Sequence, residues 1–327
     1  MKTTNRRIII HAGLHKTASS SLQYGLFRNR NALAKAGVVY PVPPRGYAQH
    51  HLVALWNEQL RQYLPHTTYE QDWRALNDIA PGKPVTVVVS SEEFSRKAPE
   101  TVDFEQLIQL TPSFDSHEIV VVLRDQVTFL QSVFLQIRDH NRLTVFPEWV
   151  QNATQNPHNP GLFFDYSELH DFLLHAFEPE KISFLNYSSF GRHPLGVVGS
   201  FVDHIGYGDT EGLQQFNSHN VSEDPLGYYL GRELLNGVQP SDEQIEKVAS
   251  VLKSRHPGKV KTSLYTKEQV SEWTGYFRPL NEKFHATAGD ALQSPIVIPE
   301  VQDQVLYLCE VTDADRQAVS DALSARE

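Results

Sequence analysis

The sequence predicts an α/β fold with a central, mainly parallel sheet and a helical C-terminal extension. Three observations predict it. Short apolar runs at residues 7–10, 38–40, 85–89, 119–123 and 182–185 are β-branched and do not alternate with polar residues, as in strands buried on both faces. Segments of helical period separate these runs, the pattern of crossover connections between parallel strands. The first run empties into a loop, residues 13–21, that holds Gly13, Lys16 and the hydroxyls of Thr17, Ser19, Ser20 and Ser21 before an amphipathic segment begins. Strand, tight loop and helix N-terminus together hold a phosphate. Backbone N–H groups converge there, the helix dipole adds positive potential, and a lysine completes the cradle.

The elements follow in order. After the loop, Leu22, Leu26, Leu33 and Ala36 share one face of a helix that Gly37 can terminate. Leu52, Trp56, Leu60 and Leu64 predict a second helix, Phe129, Val133 and Ile137 a third, and Leu169, Phe172, Leu173 and Phe177 a fourth. Residues 155–161 read as a turn-rich loop, and 217–224 as a polar loop entering the tail. Beyond it, segments 225–236, 242–254, 267–285 and 313–323 all carry helical patterns. Pro279 should kink or split the third of these, and Thr312 with Asp315 has capping-box spacing at the start of the last. The expected division is residues 1–225 as the α/β domain and 226–327 as a helical extension packed on it.

Composition limits the function classes. With 40% hydrophobic and 21% charged residues the 327-residue chain is an ordinary globular protein. A formal net charge of -10 argues against a general nucleic-acid or membrane-surface binder, although a local loop can still be positive. One cysteine, Cys309, cannot form an intrachain disulfide, and no apolar stretch suits a signal peptide or a membrane span. The expectation is a cytoplasmic protein whose oligomeric state the sequence leaves open.

The loop is not the nucleoside-triphosphate pattern, which needs a glycine five residues before a Gly-Lys-Ser/Thr triplet. His15 precedes Lys16, and the loop's glycine lies three residues before the lysine. Ser90 and Ser91, rather than an aspartate, close the third strand, so no magnesium ligand stands out. A second feature is residues 119–136, where a buried strand delivers Arg124 and Ser132 follows on the next helix. A guanidinium binds a terminal phosphate bidentately, and a hydroxyl adds one bond. Two phosphate sites imply a nucleotide anchored at both its 5′ and 3′ sides. The His11-x-x-x-His15 spacing straddles a strand end and a loop rather than one helical face, so no metal is expected.

On these residues the chain resembles the P-loop sulfotransferases that use 3′-phosphoadenosine 5′-phosphosulfate, in their bacterial carbohydrate-type branch. Their donor loop reads similarly to Gly13-Leu14-His15-Lys16-Thr17-Ala18-Ser19-Ser20-Ser21-Leu22, and their 3′-phosphate site to Arg124-Asp125-Gln126 with Ser132. Tyr187, after the strand at 182–185, matches a position near the adenine. Ala18 departs from the usual glycine and Gln126 from the usual proline, and the family's C-terminal G-x-x-G-x-W-K motif is absent, leaving residues 217–222 to cover the nucleotide. The resemblance spans about residues 6–225. It implies a P-loop NTPase-like three-layer fold and metal-free, in-line sulfuryl transfer to a carbohydrate or glycolipid hydroxyl. Gly13, Leu14, His15, Lys16, Thr17, Ala18, Ser19, Ser20, Arg124, Ser132 and Tyr187 would hold the donor, and Lys16 would neutralise the leaving group.

A general base is also required. Glu92, at the end of the strand at 85–89, and His51, after the strand at 38–40, both stand as candidates, while Glu93 should point away from Glu92 if the chain is still extended there. A P-loop small-molecule kinase with a degenerate loop, and a nucleotide-binding protein of this fold without catalysis, are the alternatives.

Overall fold

The computed structural model describes residues 5–63, 68–137, 145–156, 161–207, 212–216 and 223–324. In chain order it contains β1 (Arg6–His11), α1 (Ser19–Lys35), β2 (Val38–Val39), α2 (His50–Val53), α3 (Tyr69–Ala75), β3 (Val85–Ser90), α4 (Phe104–Leu110), β4 (Ser116–Leu123) and α5 (Gln126–Ile137). These are followed by α6 (Phe146–Gln155), α7 (Tyr166–Leu174), β5 (Ile182–Asn186), α8 (Gly196–His204), α9 (Pro225–Leu234), α10 (Asp242–Arg255), β6 (Lys261–Ser263), α11 (Lys267–Ala288), β7 (Val305–Tyr307) and α12 (Asp313–Ser324). The chain gathers into two compact units. One comprises residues 1–124, 153–220 and 280–296, and the other residues 125–152, 221–279 and 297–327.

The first unit is built on a five-stranded sheet in the order β2-β3-β1-β4-β5, every pairing parallel. All five expected strands are present. β1 is central, so its apolar residues are covered on both faces, and Ile8, Ile9 and Ile10 have no exposed surface. One face packs Ile9, Val88, Val120 and Val122 against Leu22, Leu26 and Leu33 of α1 and Val198, Phe201 and Val202 of α8. Gly25 allows the close approach of these helices, since a Cβ there would sit 2.2 Å from Val198 Cγ2. At the entry end of β1, buried Arg6 donates to the carbonyls of Ser113 and Ile79 at 2.9 and 2.8 Å, fastening the sheet's lower rim. Chain order reverses about β1, with β3 and β2 to one side and β4 and β5 to the other. Ligands of open parallel sheets bind above such a switch point, at the carboxyl ends of the strands.

The second unit contains the helical hairpins of the tail and a small parallel pair, β6 and β7, that periodicity did not reveal. Asp224 caps α9 by accepting from Gly227 N at 2.8 Å, and Ser241 with Gln244 forms a capping box on α10. The expected box on α12 is present too. Thr312 N donates to Asp315 Oδ2 at 2.9 Å, and Asp315 N to Thr312 Oγ1 at 3.2 Å.

Two expectations about helices are corrected. The periodicity from Leu52 to Leu60 gives the single turn of α2 and then a 3₁₀ segment, Glu58–Tyr63, with Leu64 outside the described residues. The indole of Trp73 donates to Leu52 O at 2.9 Å and Asn57 Oδ1 accepts from Gln59 N at 3.0 Å, so side chains take over where a longer helix would bond its own backbone. Pro279 does not split α11, which runs on through it. Phe277 and Phe284 are buried on either side, and their packing outweighs the roughly 3 kcal/mol that an interior proline costs.

Candidate functional site

The loop after β1 begins as an extension of the sheet. Ala12 N donates to Val120 O at 2.9 Å and Leu14 N to Val122 O at 3.1 Å. Leu14 is fully buried and its N–H is taken by β4, so it anchors the loop instead of facing a ligand, a correction to its expected role. Thr17 is likewise internal, its hydroxyl donating to Leu14 O at 2.5 Å to close the turn. Lys16 and Ala18 both adopt left-handed backbone, with φ of 61° and 64°, on either side of Thr17. Such alternation lines up successive N–H groups into an anion-holding concavity. Alanine at φ 64° carries strain on the order of 1 kcal/mol that glycine would not.

α1 then starts with no side-chain cap and no acidic residue in its first turn. Its leading N–H groups and the positive end of its dipole lie at the loop. Ser20 is exposed, whereas the Ser19 hydroxyl is buried without a hydrogen-bond partner among the described residues. Gly13 is required by contact: a Cβ there would lie 2.6 Å from Ser19 Oγ and 2.8 Å from His11 Nε2. A compact cradle, an uncapped helix and an orphaned hydroxyl are the features an anionic oxygen would satisfy.

Arg124 closes one side. Its guanidinium donates to Lys16 O at 3.1 Å and lies 5.1 Å from the centroid of the Tyr187 ring, while Tyr166 donates its hydroxyl to Arg124 O. The strand ends of β4 and β5 thus bring Arg124 and Tyr187 to the lysine loop. Ser132 belongs to the second unit, buried within α5. Residues 217–222, expected to cover the nucleotide, lie outside the described residues.

The other side is the end of β3, where the chain turns into a short 3₁₀ segment, Glu92–Ser95. The chain is not extended there, so the alternation expected of Glu92 and Glu93 does not apply, and the two carboxylates take different partners. Glu92 Oε2 accepts from Gln23 Nε2 on α1 at 3.0 Å, and Glu93 pairs with Arg96 Nε at 2.6 Å and with His15 Nε2 at 3.6 Å. The His15 imidazole is therefore part of the wall beneath the loop. Burial lowers the His15 pKa, opposed by Glu93 and Glu92. Burial also acts to raise the Glu92 pKa, but nearby His50 and His15 with the Gln23 bond outweigh it and hold the carboxyl below its ordinary range.

His51 reaches the same rim by a clasp. Gln49 is fully buried. Its N–H donates to Ser90 O at 2.9 Å, its Oε1 accepts from Ser90 N at 2.8 Å, and its Nε2 donates to Pro41 O at 2.8 Å. One glutamine thus pins residues 41–49 to the end of β3. His50 and His51, with Pro44, Arg45 and Ala48, line a recess of about 220 Å³ counting its open mouth. Burial lowers the His51 pKa to about 4, His50 adding to the effect. His50 Nδ1 lies 2.8 Å from Ser91 Oγ. Gln23, Gln49 and His50 are the site residues that sequence reasoning missed. Only the adjacency of His50 to His51 offered a signal.

His11 ends β1 fully buried, with Nδ1 2.7 Å from Ser90 Oγ, and burial lowers its pKa to about 4, Glu92 opposing. His11 and His15 engage different partners, and among the described residues no three His, Cys, Asp or Glu side chains group as a metal site. Among the same residues no helix is long and apolar enough to cross a membrane.

No family model and no curated protein matches the chain. Among solved structures it is similar to a sulfotransferase from Alicyclobacillus acidocaldarius, at 14% identity and a TM-score of 0.48, covering 88% of this chain and 96% of that one. At that level the likeness bears on neither donor nor acceptor.

Proposed function

We propose that the chain is a sulfotransferase that moves a sulfuryl group from 3′-phosphoadenosine 5′-phosphosulfate to an acceptor hydroxyl, with a carbohydrate or glycolipid as the acceptor class. The observation that carries this reading is the loop itself: Gly13 enclosed by His11 and Ser19, left-handed Lys16 and Ala18, and an uncapped α1, with Arg124 bonded to the loop's own backbone. The loop lacks the Gly-Lys pair of a triphosphate site, which favours a phosphosulfate donor over a kinase's nucleotide.

The reaction assigns each residue a task. Glu92, ionised at neutral pH because its pKa is held low, takes the proton of the acceptor hydroxyl. The acceptor oxygen forms its bond to sulfur as the bond from sulfur to the 5′-phosphate oxygen breaks, and adenosine 3′,5′-bisphosphate leaves. Lys16 and the first N–H groups of α1 stabilise the charge gathering on that leaving oxygen. Ser19 and Ser20 supply hydroxyl donors, Arg124 is assigned to the 3′-phosphate, and Tyr187 to the adenine side. His51, with a pKa near 4, is the weaker candidate for the base.

The test is calorimetric titration with adenosine 3′,5′-bisphosphate, without magnesium, on wild type, Lys16→Ala and Arg124→Ala. Binding by wild type that both substitutions weaken is expected. Magnesium-dependent ATP binding in its place would transfer the protein to the kinases. Bisphosphate binding without turnover of any acceptor would mark a nucleotide-binding protein that has lost catalysis.

A further inference from the structure

The charge of this chain is unevenly distributed. Although the whole carries a formal -10, its first 57 residues contain eight Lys or Arg and no Asp or Glu. That stretch supplies the donor loop, all of α1 and the clasped segment before α2. Lys16 belongs to the loop, but Arg28 stands nine residues beyond the start of α1, roughly 13 Å along the helix axis. It is exposed, and among the described residues no carboxylate pairs with it. Its guanidinium instead lies over two aromatic rings, 5.7 Å from the centroid of Tyr24 and 5.3 Å from that of Phe216.

Those rings belong to one cluster. Tyr24 packs edge-on against Tyr47 and Phe216, with centroids 4.9 and 5.5 Å apart. Tyr47 is 44% exposed, yet its backbone is fixed, because the buried Tyr40 hydroxyl donates to its carbonyl at 2.6 Å. The cluster adjoins the proposed chemistry on two sides. Tyr24 follows Gln23, whose amide holds Glu92, and Tyr47 is in the clasped segment that delivers Arg45, His50 and His51 to the recess. Rigid aromatic faces beside an exposed guanidinium suit a ligand with a flat apolar face and a negative group at its edge.

We propose that Tyr24, Tyr47, Phe216 and Arg28 form the acceptor subsite, and that the acceptor is an anionic saccharide whose ring lies on the tyrosines and whose carboxylate or ester oxyanion meets Arg28. This rests on the sulfotransferase reading for its role as an acceptor site, but not for its binding chemistry.

Two matched probes test it: 4-nitrophenyl β-D-glucuronide and 4-nitrophenyl β-D-glucoside, which differ in one carboxylate. Calorimetry on wild type should show the glucuronide binding roughly tenfold more tightly, the scale of one charge-assisted pair. Arg28→Gln should abolish that preference, and Tyr47→Ala should weaken both probes, with thermal unfolding of both surface variants at the wild-type value. Equal affinities, no binding of either probe, or a preference that survives in Arg28→Gln would overturn the proposal. Adenosine 3′,5′-bisphosphate is titrated separately. If it fails to bind while the Arg28-dependent preference is present, the donor reading falls and the anion subsite stands.

Discussion

The rim around Lys16 and the tail of the second unit both concentrate charged side chains, but they hold them differently. In the tail, charges meet each other. Asp315, 2% exposed, accepts from Arg255 Nε at 2.6 Å and lies 3.1 Å from His256 Nε2. Glu310 receives Lys267 and Lys259 at 2.7 and 3.2 Å, and Arg316 meets Glu233 at 2.5 Å. At the rim, neutral groups hold part of the charge, Arg124 meeting the Lys16 carbonyl and the Tyr187 ring and Glu92 the Gln23 amide, while Glu93 pairs with Arg96 Nε at 2.6 Å. A charge matched inside the protein shapes the fold. A charge positioned by neutral groups keeps its field for something that arrives from outside.

Substitutions at the rim should therefore cost activity, and substitutions in the tail should cost stability. The largest effect is expected for Glu92→Gln, which keeps the Gln23 contact within reach but removes the proton acceptor. Turnover with any competent acceptor should fall by about 10²–10⁴-fold while bisphosphate affinity is retained. If His51→Asn lowers turnover more than Glu92→Gln does, the base is misassigned. Lys16→Ala should lower turnover on the order of 100-fold or more with unchanged thermal unfolding, and loss of the fold instead would place Lys16 among structural charges.

His11 tests the boundary between the two kinds of region, being a buried member of the rim with a structural partner. Its folded pKa of about 4 lies below the unfolded value of 6.5, so the folded state binds fewer protons. The stability this contributes is present above pH 6.5 and lost as pH falls toward 4, a decline of about 3 kcal/mol. Urea unfolding across that window should show the decline shrink in His11→Asn, where a neutral amide can still face Ser90. An unchanged slope would mean another group governs it.

In the tail, Asp315→Asn leaves the Arg255 guanidinium facing an uncharged amide. It should destabilise by about 2 kcal/mol, less than a fully buried pair because Arg255 is partly exposed. The smallest effect should come from Ala18→Gly, which relieves a left-handed alanine and should stabilise by about 1 kcal/mol, read as a higher midpoint in urea. A lower midpoint would show that the loop does not strain at Ala18.

Much of this was legible in the chain because it is local. Buried parallel strands announce themselves as β-branched runs, and Gly13, Lys16 and the hydroxyls follow the first run directly. The helix after them ends at Gly37, which adopts φ 79° as its position requires. Long-range bonds escaped the reading. Nothing around residues 49–51 says that Gln49 will be bonded twice to Ser90, forty-one residues away, and that clasp, with the His50–Ser91 contact, brings His50 and His51 to the end of β3. Gln23 looked like one more polar position on a helix. The helix expected from Leu52 onward stops early because Trp73, on a different element, takes the Leu52 carbonyl. Periodicity registers which face of a segment is apolar, and a distant side chain that captures a backbone group leaves no trace in it.

The Gln49 clasp has an evolutionary consequence. Residues 41–48 form a stretch whose two ends, at Pro41 and at Ser90, are tied by the Gln49 side chain, with the Tyr40 hydroxyl holding the Tyr47 carbonyl between them. Such an arrangement works as an exchangeable cassette. Substitutions of side chains within it should leave both anchor points and the groups around Lys16 in place, because those bonds run through Gln49 and through backbone groups. Within a lineage, change should collect between Pro41 and Gln49, with the glutamine itself as the position that drift leaves alone.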